Sequence, residues 1–371
     1  GEHQQNHTGF IVFNPNHYPL LTRLFNELEV ATQATTMSFA VKNEVSGLEY
    51  NASSLNTLFC QRGNLFKPSF LRMVREILRF YREAPTLLAD PGPGPSLGDY
   101  LKAGNYGPLF IHDHLIPMAS ALWSSPATQI MNFPAKYLVQ FMANHQMLNA
   151  GNRPLWRVVK GGSARYLDKL IPAIRAEFRR GAPVVRVQRN TNEVRVFTTD
   201  DESSFDQVVF ACHSDQALTM LSDASVSEQQ VLGAMPFQAN ETVLHTDASL
   251  LPKKRQAWAA WNVLRLKSNA EAPEACTVSY SMNHLQSLTT ATPFVVTLNA
   301  TSRIAPEKIL ARMDYAHPVY SHASVAAQAR WAEINGVQRT WYCGAYWGWG
   351  FHEDGLRSGV RVANALGCDW A

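Results

Sequence analysis

The chain has 371 residues, 46% of them apolar and 17% charged, with a net charge of +3; this supports a large core shared by two domains and excludes a disordered or repetitive chain. The mild charge, without a Lys/Arg block, excludes nucleic acid as a partner. No run of eighteen apolar residues occurs, and the polar start Gly1-Glu2-His3-Gln4-Gln5 is not a signal peptide, so the expectation is a cytoplasmic protein.

In chain order, Phe10-Ile11-Val12-Phe13 reads as a strand stopped by the turn Asn14-Pro15-Asn16, followed by a helix at Leu20 to Leu28. Thr36 to Val41 and Leu48 to Asn51 flank Ser46-Gly47 as a hairpin. Ser69 to Leu88 predicts a helix with Phe70, Val74, Ile77, Leu78 and Tyr81 on one face, ended by Pro91-Gly92-Pro93-Gly94-Pro95. Leu97 to Leu148 reads as a helical lobe broken at Pro117, Pro126 and Pro134. A strand-like run then meets Gly161-Gly162 and an amphipathic helix, Ala164 to Arg180. Strands are expected at Val184 to Gln188, Glu193 to Thr198 and Phe205 to Cys212, the last buried on both faces. An antiparallel sheet is expected from Glu241 to His245, Cys276 to Ser281 and Phe294 to Leu298. The chain closes with a strand at Thr340 to Cys343, a glycine and aromatic loop at Gly344 to Phe351, and a helix from Glu353 to Leu366.

That last corner is the strongest chemical signal. Glycines let a backbone approach a flat ligand, aromatics wall it, and the early amides at Asp354 to Leu356 point at an electron-rich atom. A tight turn with core aromatics is the structural alternative. His112-Asp113-His114 puts its histidines on different helical faces and suggests no third ligand, so no metal site is expected. His213-Ser214-Asp215 is too local for a triad and reads as a turn at a strand end. Arg72, Arg75, Arg79 and Arg82 form either a solvated face or a contact for anionic lipid headgroups at a membrane surface, with Glu76 and Glu83 favouring the first. Met118, Trp123, Met131, Phe133, Phe141, Met142 and Met147 read as core or as the lining of a long apolar pocket. Cys60, Cys212, Cys276, Cys343 and Cys368, odd in number and without a CxxC pair, read as reduced thiols rather than a disulfide framework.

Tyr342-Cys343-Gly344 through Gly355-Leu356-Arg357-Ser358-Gly359-Val360-Arg361-Val362-Ala363 resembles the closing flavin-binding motif of amine-oxidase-like flavoproteins. Further blocks, Thr8-Gly9-Phe10 to Asn14, Trp156-Arg157-Val158-Val159-Lys160-Gly161-Gly162-Ser163, Ala211-Cys212-His213 to Ala217 and Tyr315-Ala316-His317-Pro318, resemble a bacterial branch of predicted NAD/FAD-binding oxidoreductases. The resemblance implies an α/β fold with an FAD-binding Rossmann-like domain (1–14, 154–216 and 337–371) and an α+β substrate domain of mixed sheet and helices (15–153 and 217–336). It places FAD at Thr8, Gly9, Val184, Cys212, Gly344, Phe351, His352, Glu353, Asp354, Gly355 and Ser358, with Val184 passing the adenine. The family's G-x-G-x-x-G unit is not found near the start, and His7 stands where the family favours Asp, so an incomplete sequence is expected. The implied chemistry is hydride transfer between flavin N5 and an apolar substrate, fatty-acyl or lipid. Lys160, Tyr346 and His352 are the catalytic candidates. Oxidation of an amine or amino acid is the alternative enzyme reading, and a binding protein that has lost its flavin is the non-catalytic one.

Overall fold

The structure is a computed structural model that describes residues 12–149, 151, 154–267 and 276–370. The chain forms two compact units: Gly1–His17, Glu29–Asp168 and Ala239–His317 in the first, Tyr18–Leu28, Lys169–Gln238 and Pro318–Ala371 in the second. The fold is α/β, with mixed helices and sheets.

The first unit is organised on a seven-stranded sheet. Its members are β2 (Phe39–Asn43), β3 (Glu49–Asn51), β9 (Phe237–His245), β10 (Trp261–Arg265), β11 (Cys276–Ser281), β12 (Val295–Leu298) and β13 (Ile309–Pro318), in the order β13-β9-β12-β11-β10-β2-β3. A separate antiparallel pair joins β1 (Thr32–Thr35) to β4 (Trp156–Val159). The expected antiparallel sheet is thus present in β9, β12 and β11, but β10 adds a parallel partnership with β2 that no local pattern announced. Because side chains alternate, one face carries Phe39, Trp261, Val263, Val278, Tyr280 and Leu298, packed with Ala121 of the helix Ile116–Trp123. The opposite face is buried and mixed, with polar groups set among Val243, Leu264 and Val295. His245 Nε2 meets Thr297 Oγ1 at 2.7 Å, and Ser279 Oγ meets the same hydroxyl at 2.7 Å. Burial pushes the His245 imidazole down to about 4, so it joins this chain uncharged at neutral pH.

The helical lobe corrects two expectations. The helix Pro68–Glu83 buries Phe70, Met73, Glu76 and Phe80, the strict 3.6-residue stripe, while Leu78 is 53% exposed. Arg72, Arg79 and Arg82 pair with Glu76 or Glu83, which offsets part of the positive charge of the row. Pro117 does not break the lobe: a wide π-type turn at Ile111–Leu115 runs directly into Ile116–Trp123. Proline has no N–H for the Asp113 carbonyl, and Tyr50 Oη donates to that oxygen instead, at 2.6 Å. Tyr50→Phe should therefore leave a buried carbonyl unsatisfied and cost about 1–2 kcal/mol. Chemical denaturation of the purified variant measures this, and an unchanged midpoint would refute the assignment.

The same region shows where the weaker motifs lie. Asp113 accepts from Asn43 Nδ2 at 2.5 Å and from Arg265 at 3.3 Å, and His114 Nδ1 meets Tyr50 Oη at 3.0 Å. Among the described residues no group of three His, Cys, Asp or Glu is placed to hold a metal. Trp123 packs on Phe133 and Phe141 with ring centroids 5.0 Å apart, and Phe141 stacks on His145 at 4.0 Å. These rings fill space against one another as core.

The second unit holds the sheet β5 (Val184–Arg189), β6 (Val194–Thr198) and β7 (Glu202–Phe205), and the parallel pair β8 (Val208–Phe210) and β14 (Thr340–Tyr342). The apolar run from Phe205 to Cys212 is not one strand: it changes sheets at Asp206-Gln207, and Val209 is 42% exposed. The helix expected to reach Arg180 ends at Ala173, after Pro172. Beneath the sheets, Phe210, Leu232, Met235, Ile334, Tyr342 and Tyr346 share one apolar cluster. A fully buried ion pair lies beside it. Arg189 forks onto Glu228, with Nη2 2.9 Å from Oε2, and also grips Asp223 at 3.1 Å, while Tyr342 Oη donates to Glu228 Oε1 at 2.6 Å.

No helix among the described residues is long and apolar enough to cross a membrane. Cys60, Cys212, Cys343 and Cys368 are free thiols.

Candidate functional site

The terminal strand, loop and helix expected from the sequence are all present in the second unit: β14 ends at Tyr342, the loop runs through a tight turn at Ala345–Trp347, and the last helix is His352–Ala365. Each part of the loop is held by a named side chain. Ser358 Oγ accepts from the Gly344 amide at 2.8 Å and lies 2.7 Å from the Gly355 carbonyl, tying the strand end to the second helical turn. Asp354 Oδ2 accepts from the Phe351 amide at 3.1 Å, closing the loop onto the helix start. Gln328, last residue of the helix His322–Gln328, donates through Nε2 to the carbonyls of Tyr346 at 2.9 Å and Gly348 at 2.7 Å.

Two glycines in the loop leave no room for a side chain. A Cβ on Gly344 would sit 2.4 Å from the Tyr346 ring, and one on Gly348 would sit 2.3 Å from Asp354 Oδ1. Gly350, at φ +90°, has the backbone that favours glycine.

The electrostatics separate the carboxylates. Glu353 is buried and accepts from the amides of Leu20 and Leu21, both at 3.0 Å, capping the helix Pro19–Glu27 of the same unit. Its side chain is committed there. Asp354 is also buried, and burial outweighs the hydrogen bond from Phe351 and the nearby Arg357, raising its carboxyl to about 6. Burial drives His352 the other way, down to about 4, so its ring is neutral at physiological pH. Tyr346 is 2% exposed and packs in the apolar cluster; burial pushes its phenol far up, so it stays protonated and is no base.

The remaining expected site residues are dispersed. Thr8 and Gly9 lie outside the described residues. Val184 opens β5 beside a register irregularity. Cys212 follows β8 and is partly buried against the apolar cluster. Lys160 belongs to the first unit, where it is exposed after β4 and donates its amide to Ala31 at 2.9 Å. His213 stacks on Phe237 with centroids 4.0 Å apart, and Ser214 Oγ bonds the Met235 carbonyl at 2.5 Å, so no triad forms. Gln328 was missed because a single glutamine far from the motif carries no periodic or spacing signal.

The corner fits a flat, electron-rich group such as a flavin ring. Phe351 stands at the helix N-cap without a side-chain acceptor for the first-turn amides. A Cβ on Gly355 would make ordinary van der Waals contact with Ala345 at 3.7 Å, so the helix start packs closely on the loop without a clash, while one on Gly359, in the third turn, would meet nothing within 4 Å. The Tyr346 hydroxyl is buried without a hydrogen-bond acceptor. Gly355→Ala should accordingly fold with unchanged stability or a gain of up to about 1 kcal/mol from helix propensity, yet lose FAD affinity. Parallel denaturation and flavin titration would check both halves, and loss of folding would contradict the clash-free fit against Ala345.

The model of the family of flavin-containing amine oxidoreductases matches residues 7–367, and the chain belongs to that family. It is an FAD-dependent oxidoreductase of the amine-oxidase-like class. Solved structures of similar fold include a CLA-producing fatty acid isomerase from P. acnes, at TM-score 0.66 and 12% identity, covering 97% of this chain and 87% of that one. Putrescine oxidase bound to putrescine aligns at TM-score 0.65 and 12% identity over 96% and 87% of the two chains. Cyclohexylamine oxidase from Brevibacterium oxydans IH-35A gives TM-score 0.61 and 14% identity over 96% and 86%. No curated protein sequence matches the chain significantly.

Proposed function

We propose that the protein transfers hydride between FAD and a small apolar substrate of fatty-acyl or lipid character. The apolar face of the seven-stranded sheet, with Phe39, Trp261, Tyr280, Val263, Val278 and Leu298, is filled by Ala121 of the helix Ile116–Trp123 as core, so the substrate class is read from the resemblance of the sequence motifs and not from that face. The fatty acid isomerase of similar fold supports the same reading.

FAD, when bound, would supply the two-electron redox chemistry. The loop Gly344–Phe351 and the first-turn amides of His352–Ala365 would hold its ring, with Val184, Cys212, Thr8 and Gly9 as further contacts. The chain's own groups orient and shield. Tyr346 offers a buried hydroxyl donor, and His352 offers a neutral ring that accepts or donates a hydrogen bond without bringing charge. Lys160 is the third candidate for handling a proton, through Nζ.

The visible spectrum of the full-length protein tests the reading. Flavin bands are expected after purification or after adding FAD, and they should bleach anaerobically with an unsaturated fatty acid. Absence of flavin bands overturns the cofactor assignment. Bleaching by amines alone would replace the lipid substrate with an amine.

A further inference from the structure

We propose that Gln328 is a positioning residue for the flavin-facing loop, fixing the loop's shape before the cofactor arrives. The proposal rests on the flavin reading above. Three clamps hold the loop, and two are local: Ser358 on Gly344 and Asp354 on Phe351 both belong to the strand-loop-helix segment itself. Gln328 alone among the three reaches in from another element.

The geometry makes it a precise clamp. Within the turn, backbone bonds use the carbonyls of Gly344 (from Trp347, 3.2 Å) and Ala345 (from Gly348 and Gly350, both 3.1 Å). The next carbonyls, Tyr346 and Gly348, are taken by the same Gln328 nitrogen at 2.9 and 2.7 Å. An amide NH₂ has two hydrogens in one plane at a fixed angle, so two acceptors on one nitrogen are fixed relative to each other as well as to the donor. Between these two carbonyls lies Trp347, so the grip sets the direction of the aromatic segment. The donor itself is anchored. Its helix is N-capped by Ser321 Oγ, which accepts from Ser324 at 3.1 Å, and the preceding residue, Ala327, is in the apolar core. A side chain serving only its own helix would not need to span to two carbonyls of a glycine-rich loop.

The test uses the full chain and two variants. Gln328→Met keeps length and removes both donors. Gln328→Glu puts a carboxylate against two carbonyls when ionised and returns one donor when protonated. Hydrogen exchange of the FAD-free protein over residues 344–351 reads the loop, and fluorescence titration with FAD reads affinity. For the Met variant, about tenfold faster loop exchange and about tenfold weaker FAD binding are expected, the effect of losing one to two net hydrogen bonds. The Glu variant should resemble Met at pH 8 and move back toward wild type near pH 5, each compared with wild type at the same pH. Unchanged exchange overturns the clamp, and faster exchange with unchanged FAD affinity overturns its role toward the ligand. If the wild-type protein takes up no FAD, the flavin reading fails, and exchange alone decides whether Gln328 holds the loop.

Discussion

Arg189→Met is expected to destabilise the second unit by about 3–5 kcal/mol, the cost of leaving a buried charge without its partner. Arg189 and Glu228 have side chains 1% and 2% exposed, and the guanidinium also holds Asp223 at 3.1 Å and Thr340 Oγ1 at 3.2 Å. Methionine fills the volume and supplies none of the donors, so Glu228 would remain buried against Tyr342 and Ser225 alone. Adding Glu228→Gln should restore part of the loss, because the residual cost is mainly that of the stranded charge. Urea denaturation followed in the single and double variants gives the coupling; additive losses would show that the pair does not act as a unit.

The same pair fixes an acid limb of stability. Burial pushes the Glu228 carboxyl up, but hydrogen bonds from Arg189 and Tyr342 outweigh it and hold the group at about 2, below its ordinary 4.5. A depressed folded pKa means the contribution is complete above the unfolded value and is lost as pH falls through the folded one. This group should therefore withdraw on the order of 3 kcal/mol between about pH 4.5 and pH 2. Arg189→Met should flatten that part of the stability profile.

Gly348→Ala is the second large effect. The new methyl would lie 2.3 Å from Asp354 Oδ1 and 2.5 Å from its Cγ. Asp354 is buried and holds the Phe351 amide, so it cannot retreat without opening the loop. A cost of about 3 kcal/mol is expected from such overpacking, with FAD affinity falling roughly a hundredfold where the strain is relieved by distorting the loop. Asp354→Gly in the same chain removes both the obstructing carboxyl and the Cβ that would still lie 2.8 Å away, and should recover part of the stability. Calorimetry and flavin titration of the two variants would decide; an unaffected Gly348→Ala protein would show that the loop yields freely.

The candidate site was legible where its signals are local. Gly344 to Phe351 announces a close-approach loop by composition, and the helix after it follows from periodicity, so strand, loop and helix lie where the sequence places them. Residues acting through tertiary contact were not legible. Gln328 precedes the loop on a separate helix, and Arg189, Glu228 and Tyr342 come from three elements with no pattern connecting them. In the fold, the run from Phe205 to Cys212 looks like one buried strand because hydrophobicity does not record a change of sheet at Asp206-Gln207. Pro117 reads as a break, since nothing local reveals that Tyr50 supplies the missing donor. The β10–β2 pairing joins Trp261 to Phe39 in parallel, which only the assembled sheet can specify.

Glu353 reaches the amides of Leu20 and Leu21 across 333 and 332 residues of chain. During synthesis the helix Pro19–Glu27 emerges well before the helix His352–Ala365 that carries its cap. At about 5–20 residues per second, that interval is tens of seconds. An isolated nine-residue helix is marginal in water over such a wait. The second unit is thus a late-closing body whose first and last pieces lock in one step, and a nascent chain stalled before Glu353 should leave residues 18–28 open to protease while the sheet of the first unit is already protected.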